Sequence, residues 1–574
     1  MTRILLIILI LASFSYAKSQ FLTPFEKSEG LESATYFDAI ALFDSFSRIS
    51  PYVHLQSVGT TDAGYPLHLV LISSDGQFDP TQWHLQKKVV ILVNNSIHPG
   101  EPDGTDASLL LVRDIAIGKI KPDPKVCMAI IPVYNIGGAL NRGSYSRVNQ
   151  NGPQEYGFRG NAQYLDLNRD FTKSDSRNAA TFAQIFHYLD PEILIDNHVS
   201  DGADFQYTMT LLTTQYDKLG QVLGEWLRSE FEPAIYKGMK QKSWDLFPYV
   251  NFNAYDLSKG MTQFYDPPRF SSGYAALFQT IGFVPETHML KPYKERVKST
   301  YDLMVTIANV ASSKAESLIA TRKKQREAVL SDKQFPLSFE PDTEKSTILT
   351  FKGYQRDTTI SEVTGLPRMF YRRDLPFDAP VRFFNYFKPM QFVEKPKAYI
   401  IPQGWHRVHE LLRLNGIDLQ PLNKDTSMNV EVYRIKNYTA SSRPYEGHFR
   451  LNKVETEKSM ETVKLLKGDY IAYTQQPGNR FLVEMLEPDG PDSYFSWNYF
   501  DAILQQKESY SNYRWEEVAA DWLKKNPGLR AALEAKKIAE PDFTKNSSRI
   551  LQWVYQNSPY FEPGYMRYPI YRIM

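Results

Sequence analysis

A histidine and a glutamate lie three residues apart just after a strongly apolar stretch of the chain. Val89–Asn94 is predicted to form a buried strand, and His98 and Glu101 follow it in one short loop. The prolines and the glycine in this loop exclude a helix interior. An imidazole and a carboxylate that converge in such a loop suit a zinc ion. The same pattern is also typical of a surface turn with a helix N-cap at Asp103, so the pair needs support from elsewhere in the chain.

Two further predicted strands end in side chains that could join this pair. Ile193–His198 ends in a histidine, and Gly282–His288 carries Glu286 close to its end. Ligand-binding groups collect at the carboxyl ends of strands in α/β sheets. Two histidines and one glutamate, with a fourth position left for water, form a known arrangement for catalytic zinc. Taken alone, His198 is more typical of a packed histidine at the end of a central strand than of a metal ligand.

Between the first two strands lies a short segment dense in polar groups. Tyr164–Phe171 contains Asp166, Asn168 and Arg169. The planar guanidinium of arginine binds carboxylates in a fixed geometry. An aspartate can fix the orientation of an imidazole that binds metal. The segment therefore indicates a site for a carboxylate next to a metal.

The order and rough spacing of these residues resemble those of the zinc carboxypeptidase family, over about residues 30–310. The resemblance implies a central mixed eight-stranded sheet flanked by helices, with one Zn²⁺ ion at the carboxyl edge of the sheet. It implies that the zinc ligands are His98, Glu101 and His198. It also implies that Asp166 fixes the tautomer of His98.

The resemblance assigns the remaining roles as well. It makes Glu286 the general base, and it makes Asn168 and Arg169 the pair that holds the terminal carboxylate of the substrate. Arg147 is predicted to stabilise the oxyanion, with two rivals in the same loop, Arg142 and Arg159. The family also has a tyrosine that caps the substrate, for which two candidates remain open, Tyr265 and Tyr274.

Several other polar residues are given structural interpretations. Arg269 is predicted to be a surface arginine, with the binding of an acidic substrate group as the alternative. His288 is interpreted as a packed histidine, although a contact with the metal ligands is open. The stretch from His406 to Glu410 superficially resembles a zinc motif, but it lacks the second histidine of His-Glu-x-x-His and is predicted to be part of an amphipathic helix.

The elements that must position these residues alternate between strands and helices up to about residue 320, which predicts an α/β catalytic domain. Beyond Val329 the pattern changes to strands separated by turns, and then to a part rich in Trp and Tyr. The predicted domains are a catalytic domain at 22–330, a β-rich accessory domain at 332–480 and an aromatic-rich α/β region at 481–574. Trp405 and Trp497 are interpreted as packing residues, with substrate recognition as the alternative.

Composition excludes several classes of protein. The chain has 66 Lys and Arg against 65 Asp and Glu, a net charge of +1, so no basic field indicates nucleic-acid binding. The single cysteine, Cys127, excludes an internal disulfide and cysteine-based zinc modules. Apolar residues make up 42% of the 574 residues, enough for sizeable cores and about three to five domains.

The amino terminus is predicted to be a signal peptide, residues 1–17. A positive start is followed by the apolar run from Ile4 to Ala12, and small residues precede a cleavage site after Ala17. The run is too short to span a bilayer, which requires about 20 residues. The mature protein is therefore expected in a periplasm or outside the cell, without membrane insertion.

The leading functional prediction is an exported zinc exopeptidase. It would hydrolyse C-terminal amide bonds of peptides through a zinc-bound water activated by Glu286, on a peptide or peptide-like substrate with a free carboxylate. One alternative is a zinc amidase acting on murein peptides or N-acyl amino acids. Another is a non-catalytic binding protein that retains the scaffold.

Overall fold

The computed structural model describes residues 21–253 and 256–574. The predicted signal peptide lies outside the described residues. Within those two ranges, no helix combines the length and apolar character needed to cross a lipid bilayer.

The strands are numbered in chain order. They are β1 Val53–Val58, β2 Leu67–Ile72, β3 Val89–Asn94, β4 Val126–Ile131, β5 Ile193–Asp196, β6 His198–Ser200, β7 Met209–Thr213, β8 Leu246–Pro248, β9 Val250–Phe252, β10 Met261–Gln263, β11 Ile281–His288, β12 Gln334–Pro341, β13 Thr347–Ile360, β14 Pro367–Phe384, β15 Phe387–Glu394, β16 Ala398–Ile401, β17 Gln420–Pro421, β18 Thr426–Ala440, β19 Leu451–Leu465, β20 Tyr470–Tyr473 and β21 Tyr571–Ile573.

A mixed central sheet organises the first half of the chain, in the order β1-β2-β4-β3-β5-β11-β7-β8, with β6 also paired to β11. β5 and β6 both pair with β11 and are separated only by Asn197. They therefore occupy a single position in the sheet, which has nine strands at eight positions. The inner strands β3, β4 and β5 are buried at every position, as expected for strands covered on both faces. The expected mixed sheet flanked by helices is confirmed.

Helices cover this sheet and continue into the C-terminal region. The α-helices are Pro24–Lys27, Tyr36–Ile49, Pro80–Leu85, Asp103–Ala116, Ile136–Leu140, Arg177–Leu189, Tyr216–Leu219, Gln221–Trp226, Glu232–Gln241, Ser271–Ala276, Tyr293–Ser313, Ala315–Ser331, His406–Leu414, Asn479–Leu486, Asn512–Lys525, Pro527–Ala539 and Ser547–Gln556. One π-helical turn, Leu227–Phe231, joins two of them. The part of the chain that the structure describes also has four short 3₁₀ helices, Leu167–Arg169, Leu257–Lys259, Asp501–Leu504 and Pro541–Lys545.

Some elements differ from the sequence predictions at their ends. The amphipathic pattern of Tyr293–Ala320 predicts a single helix that runs on into the charged stretch ending at Glu327. In the structure this helix breaks at Lys314, and a second helix then runs on to Ser331. β1 has no counterpart among the predicted strands. Only Val53 of its six residues is buried, because β1 is an edge strand and lacks a strong apolar pattern.

The C-terminal region is rich in β-structure, as predicted. β18 and β19 form a long hairpin within a six-stranded sheet, β17-β20-β16-β21-β18-β19. The last strand of the chain, β21, lies between β16 and β18, so residues of the predicted 332–480 and 481–574 regions share one sheet. β10 from the first half pairs with β14, which joins the two halves of the chain through backbone hydrogen bonds.

Candidate metal centre and active site

Three buried residues converge at the carboxyl edge of the central sheet. His98, Glu101 and His198 are at most 5% exposed, and each offers a ligand atom within 4.8 Å of the others. Nδ1 of His98 lies 3.3 Å from Oε1 of Glu101, and Nδ1 of His198 lies 3.1 Å from Oε2 of Glu101. Their burial contradicts the alternative of a surface turn for the His98–Glu101 loop.

Each histidine turns its other nitrogen to a carboxylate. Nε2 of His98 lies 2.9 Å from Oδ1 of Asp166, and Nε2 of His198 lies 3.0 Å from Oδ2 of Asp196. A carboxylate on the far nitrogen fixes the tautomer of a ligating histidine and raises its basicity. Nδ1 of His98 is buried without a hydrogen-bond partner, which fits a nitrogen that binds a metal ion. The donor set, two imidazoles and one carboxylate, is suitable for zinc.

The register of the sheet brings these groups together. Asn94 of β3 is paired with Asp196 of β5, and His198 of β6 is paired with Glu286 of β11. Asn94 also donates a side-chain hydrogen bond of 2.9 Å to Asp196. Side chains at neighbouring strand ends therefore lie side by side without any long loop to place them.

Glu101 is held as a carboxylate by its neighbours. Burial raises its pKa, but Arg147, His98 and His198 together lower that pKa well below its ordinary value. Arg147 donates a 2.6 Å hydrogen bond to Oε1, and the backbone of Val199 donates one of 2.8 Å to Oε2. A deprotonated carboxylate is the form that binds a metal.

Glycine at position 100 is what lets Arg147 reach Glu101. A Cβ atom on Gly100 would lie 2.2 Å from Nε of Arg147, closer than non-bonded atoms can come. The arginine therefore uses the space of the missing side chain.

Glu286 faces the same space from β11. It is the one residue of β11 that keeps partial exposure to solvent, and it lines the cavity that the three candidate ligands also line. Burial, with the negative charges of Glu101 and Asp196, raises the pKa of Glu286 despite the positive influence of His198. A carboxyl group poised in this way is suited to proton transfer near neutral pH.

Asn168 and Arg169 lie in a short 3₁₀ helix, Leu167–Arg169, capped by the side chain of Asp166. The guanidinium of Arg169 lies 4.0 Å above the ring of Phe270 and donates a 2.8 Å hydrogen bond to the carbonyl of Asn168. Both residues line the cavity. The amide of Asn168 also lies 3.4 Å from Nε2 of His198, so this helix is next to the metal centre.

The three arginines considered for the oxyanion differ in position. Arg147 and Arg159 both line the cavity. Arg159 donates a 2.9 Å hydrogen bond to Asp166 and its charge acts on Glu286. Arg142 instead bonds to Ser33 and is not among the residues that line the cavity.

The cavity has a volume of about 660 Å³. Beyond the charged groups, its wall includes Leu212, Phe264, Phe270 and Val284, which can cover an apolar part of a ligand. Asp266 also lines it and is 7% exposed. Burial raises the pKa of Asp266 to about 6.

Among the described residues, the tyrosine that lines the cavity is Tyr249, which the sequence analysis did not single out. The charge of Glu286, which lines the same cavity, raises the pKa of Tyr249. The two tyrosines considered from sequence lie elsewhere: Tyr265 packs on Phe387, and Tyr274 is buried with its hydroxyl bonded to Asn415. Asp196 was missed as well, although its place two residues before His198, on the same face of a strand, is a usable signal.

The residues given structural interpretations from sequence lie outside the metal centre. Arg269 forms an ion pair of 2.8 Å with Asp492, so it is not a free surface arginine. His288 is fully buried, with Nε2 2.9 Å from the carbonyl of Ala203. His409 lies on the helix His406–Leu414, as predicted.

Trp405 and Trp497, whose roles were open, are also away from the cavity. Trp497 is fully buried, and Trp405 packs on Phe500 at 4.9 Å between ring centroids. Among the described residues, the one group of three or more His, Cys, Asp or Glu side chains that could hold a metal ion is His98, Glu101 and His198.

Known proteins that are similar to this chain are carboxypeptidases. Residues 40–215 match the family model described as zinc carboxypeptidase. Carboxypeptidase 2 of Trichophyton rubrum is 22% identical over 457 residues, 75% of this chain and 77% of that protein. Carboxypeptidase 2 of Trichophyton equinum is 22% identical over 435 residues, 71% of this chain and 74% of that protein.

About half of this chain is also similar to solved structures. A metallo-carboxypeptidase from Burkholderia cenocepacia is 15% identical, with a TM-score of 0.36, over 49% of this chain and 69% of that one. The carboxypeptidase A from Helicoverpa armigera is 14% identical, with a TM-score of 0.35, over 50% of this chain and 75% of that one. The family model thus matches a zinc carboxypeptidase domain within residues 40–215, and the relatives that are similar over about three quarters of the chain are carboxypeptidases.

Proposed function

We propose that this protein is an exported metallocarboxypeptidase, an exopeptidase that removes residues from the carboxyl ends of peptides. One observation carries the proposal: a candidate metal centre, Glu286 and the pair Asn168 and Arg169 line a single cavity. A guanidinium in that place can bind a free α-carboxylate. Binding of the chain end next to the metal would direct cleavage to the last peptide bond.

His98, Glu101 and His198 would hold one zinc ion. When bound there, zinc would supply Lewis acidity that polarises the scissile carbonyl and lowers the pKa of water. Asp166 and Asp196 would keep the two imidazoles in the tautomer that leaves Nδ1 free to bind. The unpartnered Nδ1 of His98 supports this arrangement.

The carboxylate of Glu286 would act as the general base and then as the acid. It would accept a proton from the attacking water at a carboxylate oxygen and pass that proton to the nitrogen of the leaving amine. The raised pKa of Glu286 favours the protonated form in the second step. Arg147 is proposed to stabilise the negative charge on the carbonyl oxygen, and its position beside Glu101 supports that role.

Export is proposed from the sequence of residues 1–17. An exported enzyme could act on linear peptides or on the peptides of murein. We therefore propose mass spectrometry of a mixed pool of linear peptides and muropeptides, incubated with the zinc-loaded protein. A parallel sample would contain Glu286→Gln. The matched control is Glu295→Gln, an exposed glutamate on the helix that follows β11.

Stepwise loss of residues from linear peptides, absent with Glu286→Gln and present with Glu295→Gln, would establish the exopeptidase. Cleavage of muropeptides alone would move the protein to murein amidase activity. Absence of product from both pools would contradict the proposal and favour a narrower N-acyl substrate or a binding role.

A further inference from the structure

The segment that carries Asn168 and Arg169 is covered by the C-terminal region. Arg407 donates a 2.8 Å hydrogen bond to the carbonyl of Ser174, and Tyr499 donates one of 2.7 Å to the carbonyl of Lys173. Nε2 of His448 lies 2.8 Å from Oδ2 of Asp175. Three side chains of the C-terminal region thus bind the short stretch of residues 173–175 that follows Arg169.

Among these contacts, that of Glu446 lies closest to the reaction centre. Its Oε2 accepts a 2.7 Å hydrogen bond from the backbone N–H of Asp166, a residue 280 positions earlier in the chain. Asp166 contacts His98 and accepts a 2.9 Å hydrogen bond from the backbone N–H of Asn168. Glu446 therefore contacts Asp166, and Asp166 in turn contacts both the candidate metal ligand His98 and the helix that carries Asn168 and Arg169.

The backbone at Glu446 is unusual for a glutamate. Its φ angle is 50°, in the left-handed region that favours glycine and strains the backbone of other residues. Glycine does follow, at position 447, with a φ of 80°. The turn therefore places a residue with a long carboxylate side chain at a position where backbone conformation alone would select glycine.

A second carboxylate of the C-terminal region, Asp492, bonds to the residue that precedes Phe270, the ring next to Arg169. Asp492 accepts hydrogen bonds from the backbone N–H of Arg269 at 3.0 Å and from its guanidinium at 2.8 Å. The next residue, Phe270, is the ring on which Arg169 lies. The guanidinium of Arg169 thus lies between two segments that the C-terminal region contacts.

We infer that Glu446 is a positioning residue of the catalytic reaction. Its carboxylate holds the backbone of Asp166, so that Asn168 and Arg169 are set to receive the terminal carboxylate of the substrate. The C-terminal region is then part of the catalytic unit. This inference rests on the proposed exopeptidase function and deepens it.

The variant Glu446→Gly removes the contact of Glu446 with Asp166 without the loss of folding stability that would obscure its effect. Glycine suits a φ of 50°, so the thermal unfolding midpoint should stay close to that of the unchanged protein. The hydrogen bond to Asp166 is lost, however. Glu446→Gln keeps an acceptor oxygen on the same side-chain length and should restore the contact. Glu455→Gly, at an exposed position of β19, controls for a general effect of glycine in the region.

The main readout is the preference of the enzyme for a free carboxylate. In the zinc-loaded Glu286→Gln background, binding of the best-cleaved peptide from the pool is compared with binding of its C-terminal amide. Glu446→Gly is expected to lower the acid-over-amide ratio about tenfold, as for a lost charge-assisted hydrogen bond, while Glu446→Gln stays within about twofold. An unchanged ratio in Glu446→Gly, or an equal fall in Glu455→Gly, would overturn the inference.

Hydrogen exchange of the peptide that contains Asp166 gives a readout independent of turnover. Its amide protection should fall in Glu446→Gly and be retained in Glu446→Gln. Unchanged protection in Glu446→Gly would also overturn the inference. If the background protein shows no preference for acid over amide, the proposed function fails rather than the role of Glu446, because exchange still reports the contact.

Discussion

The two ends of the catalytic cavity are built in different ways. At the metal end, His198 and Glu286 are cross-strand neighbours in the central sheet, and the His98–Glu101 loop follows β3 directly. At the carboxylate end, Asn168 and Arg169 lie in a short helix outside the sheet, and that helix contacts the C-terminal region. One end is set by strand register, and the other by contacts between distant parts of the chain.

This difference separates two kinds of mutational effect. Side chains at the ends of buried strands have little freedom, because the sheet around them is closely packed. A loop depends on its individual hydrogen bonds and can shift when one of them is lost. Changes at the metal end should therefore affect metal binding or turnover, and changes at the carboxylate end should affect substrate binding.

The largest effect is expected from Glu286→Gln, at the metal end. Loss of a general base lowers turnover by about 10²–10⁴-fold, while the three candidate ligands are unchanged. Zinc content measured by mass spectrometry should stay at one ion per chain, and kcat should fall at least a hundredfold. Normal kcat in this variant would remove Glu286 from its proposed role.

Arg169→Ala tests the opposite end. Loss of a hydrogen-bonded charge partner costs about 1.5–3 kcal/mol, so KM for peptides with a free carboxylate should rise by about ten- to a hundredfold. Zinc affinity should change little. Arg177→Ala, an exposed arginine nearby in the chain, is the control. Undiminished cleavage by Arg169→Ala would refute the anchoring role.

Two aspartates sharpen the boundary between the ends. Asp196 contacts His198 only from within the sheet, whereas Asp166 contacts His98 and also caps the helix of Asn168. Asp196→Asn should weaken zinc binding about ten- to a hundredfold and leave KM of the zinc-saturated enzyme unchanged. Asp166→Asn should weaken zinc binding and also raise KM of the zinc-saturated enzyme. Zinc titration with a competing chelator and KM at saturating zinc distinguish the two patterns. A raised KM in Asp196→Asn would contradict the separation.

The smallest effect is a pH dependence at the contact with the C-terminal region. Burial raises the pKa of Asp175, but His448 and Lys173 outweigh burial and lower that pKa to about 2. A depressed carboxyl pKa adds stability above pH ~4, and this stability is lost as the pH falls towards 2. Asp175 should thus contribute at most about 2 kcal/mol near neutral pH.

This contribution is measured as the difference in unfolding midpoint between the metal-free protein and its Asp175→Asn variant. The difference should be largest above pH 5 and should narrow as the pH falls from about 4 towards 2. A difference that is constant with pH would show that the charge of Asp175 does not stabilise the contact.

Much of the metal end could be predicted from the sequence. The apolar run of β3 has the bounds Val89–Asn94 that its pattern predicts, since a fully buried strand leaves a strong local signal. His98, Glu101 and His198 follow or end such strands, so their convergence could be expected. The interruption of the predicted strand Ile193–His198 at Asn197 could not be expected, because it depends on pairing with β11.

The surroundings of the cavity were less predictable. Tyr249 follows β8, a three-residue strand with only one buried position, and such a short element has little periodicity. The role of Asp196 was visible only as a same-face neighbour of His198. The paired state of Arg269 depends on Asp492, which is 223 positions later in the chain.

Local sequence patterns were enough to propose which side chains bind a metal, move a proton and hold a carboxylate, and which strands precede or carry the candidate metal ligands. These properties are local, because residue type and hydrophobic period act over a few neighbours. The contacts of Glu446 with Asp166 and of Asp492 with Arg269 instead depend on the tertiary structure. Contacts between such distant positions arise only when the sheets pack, and no local pattern encodes them.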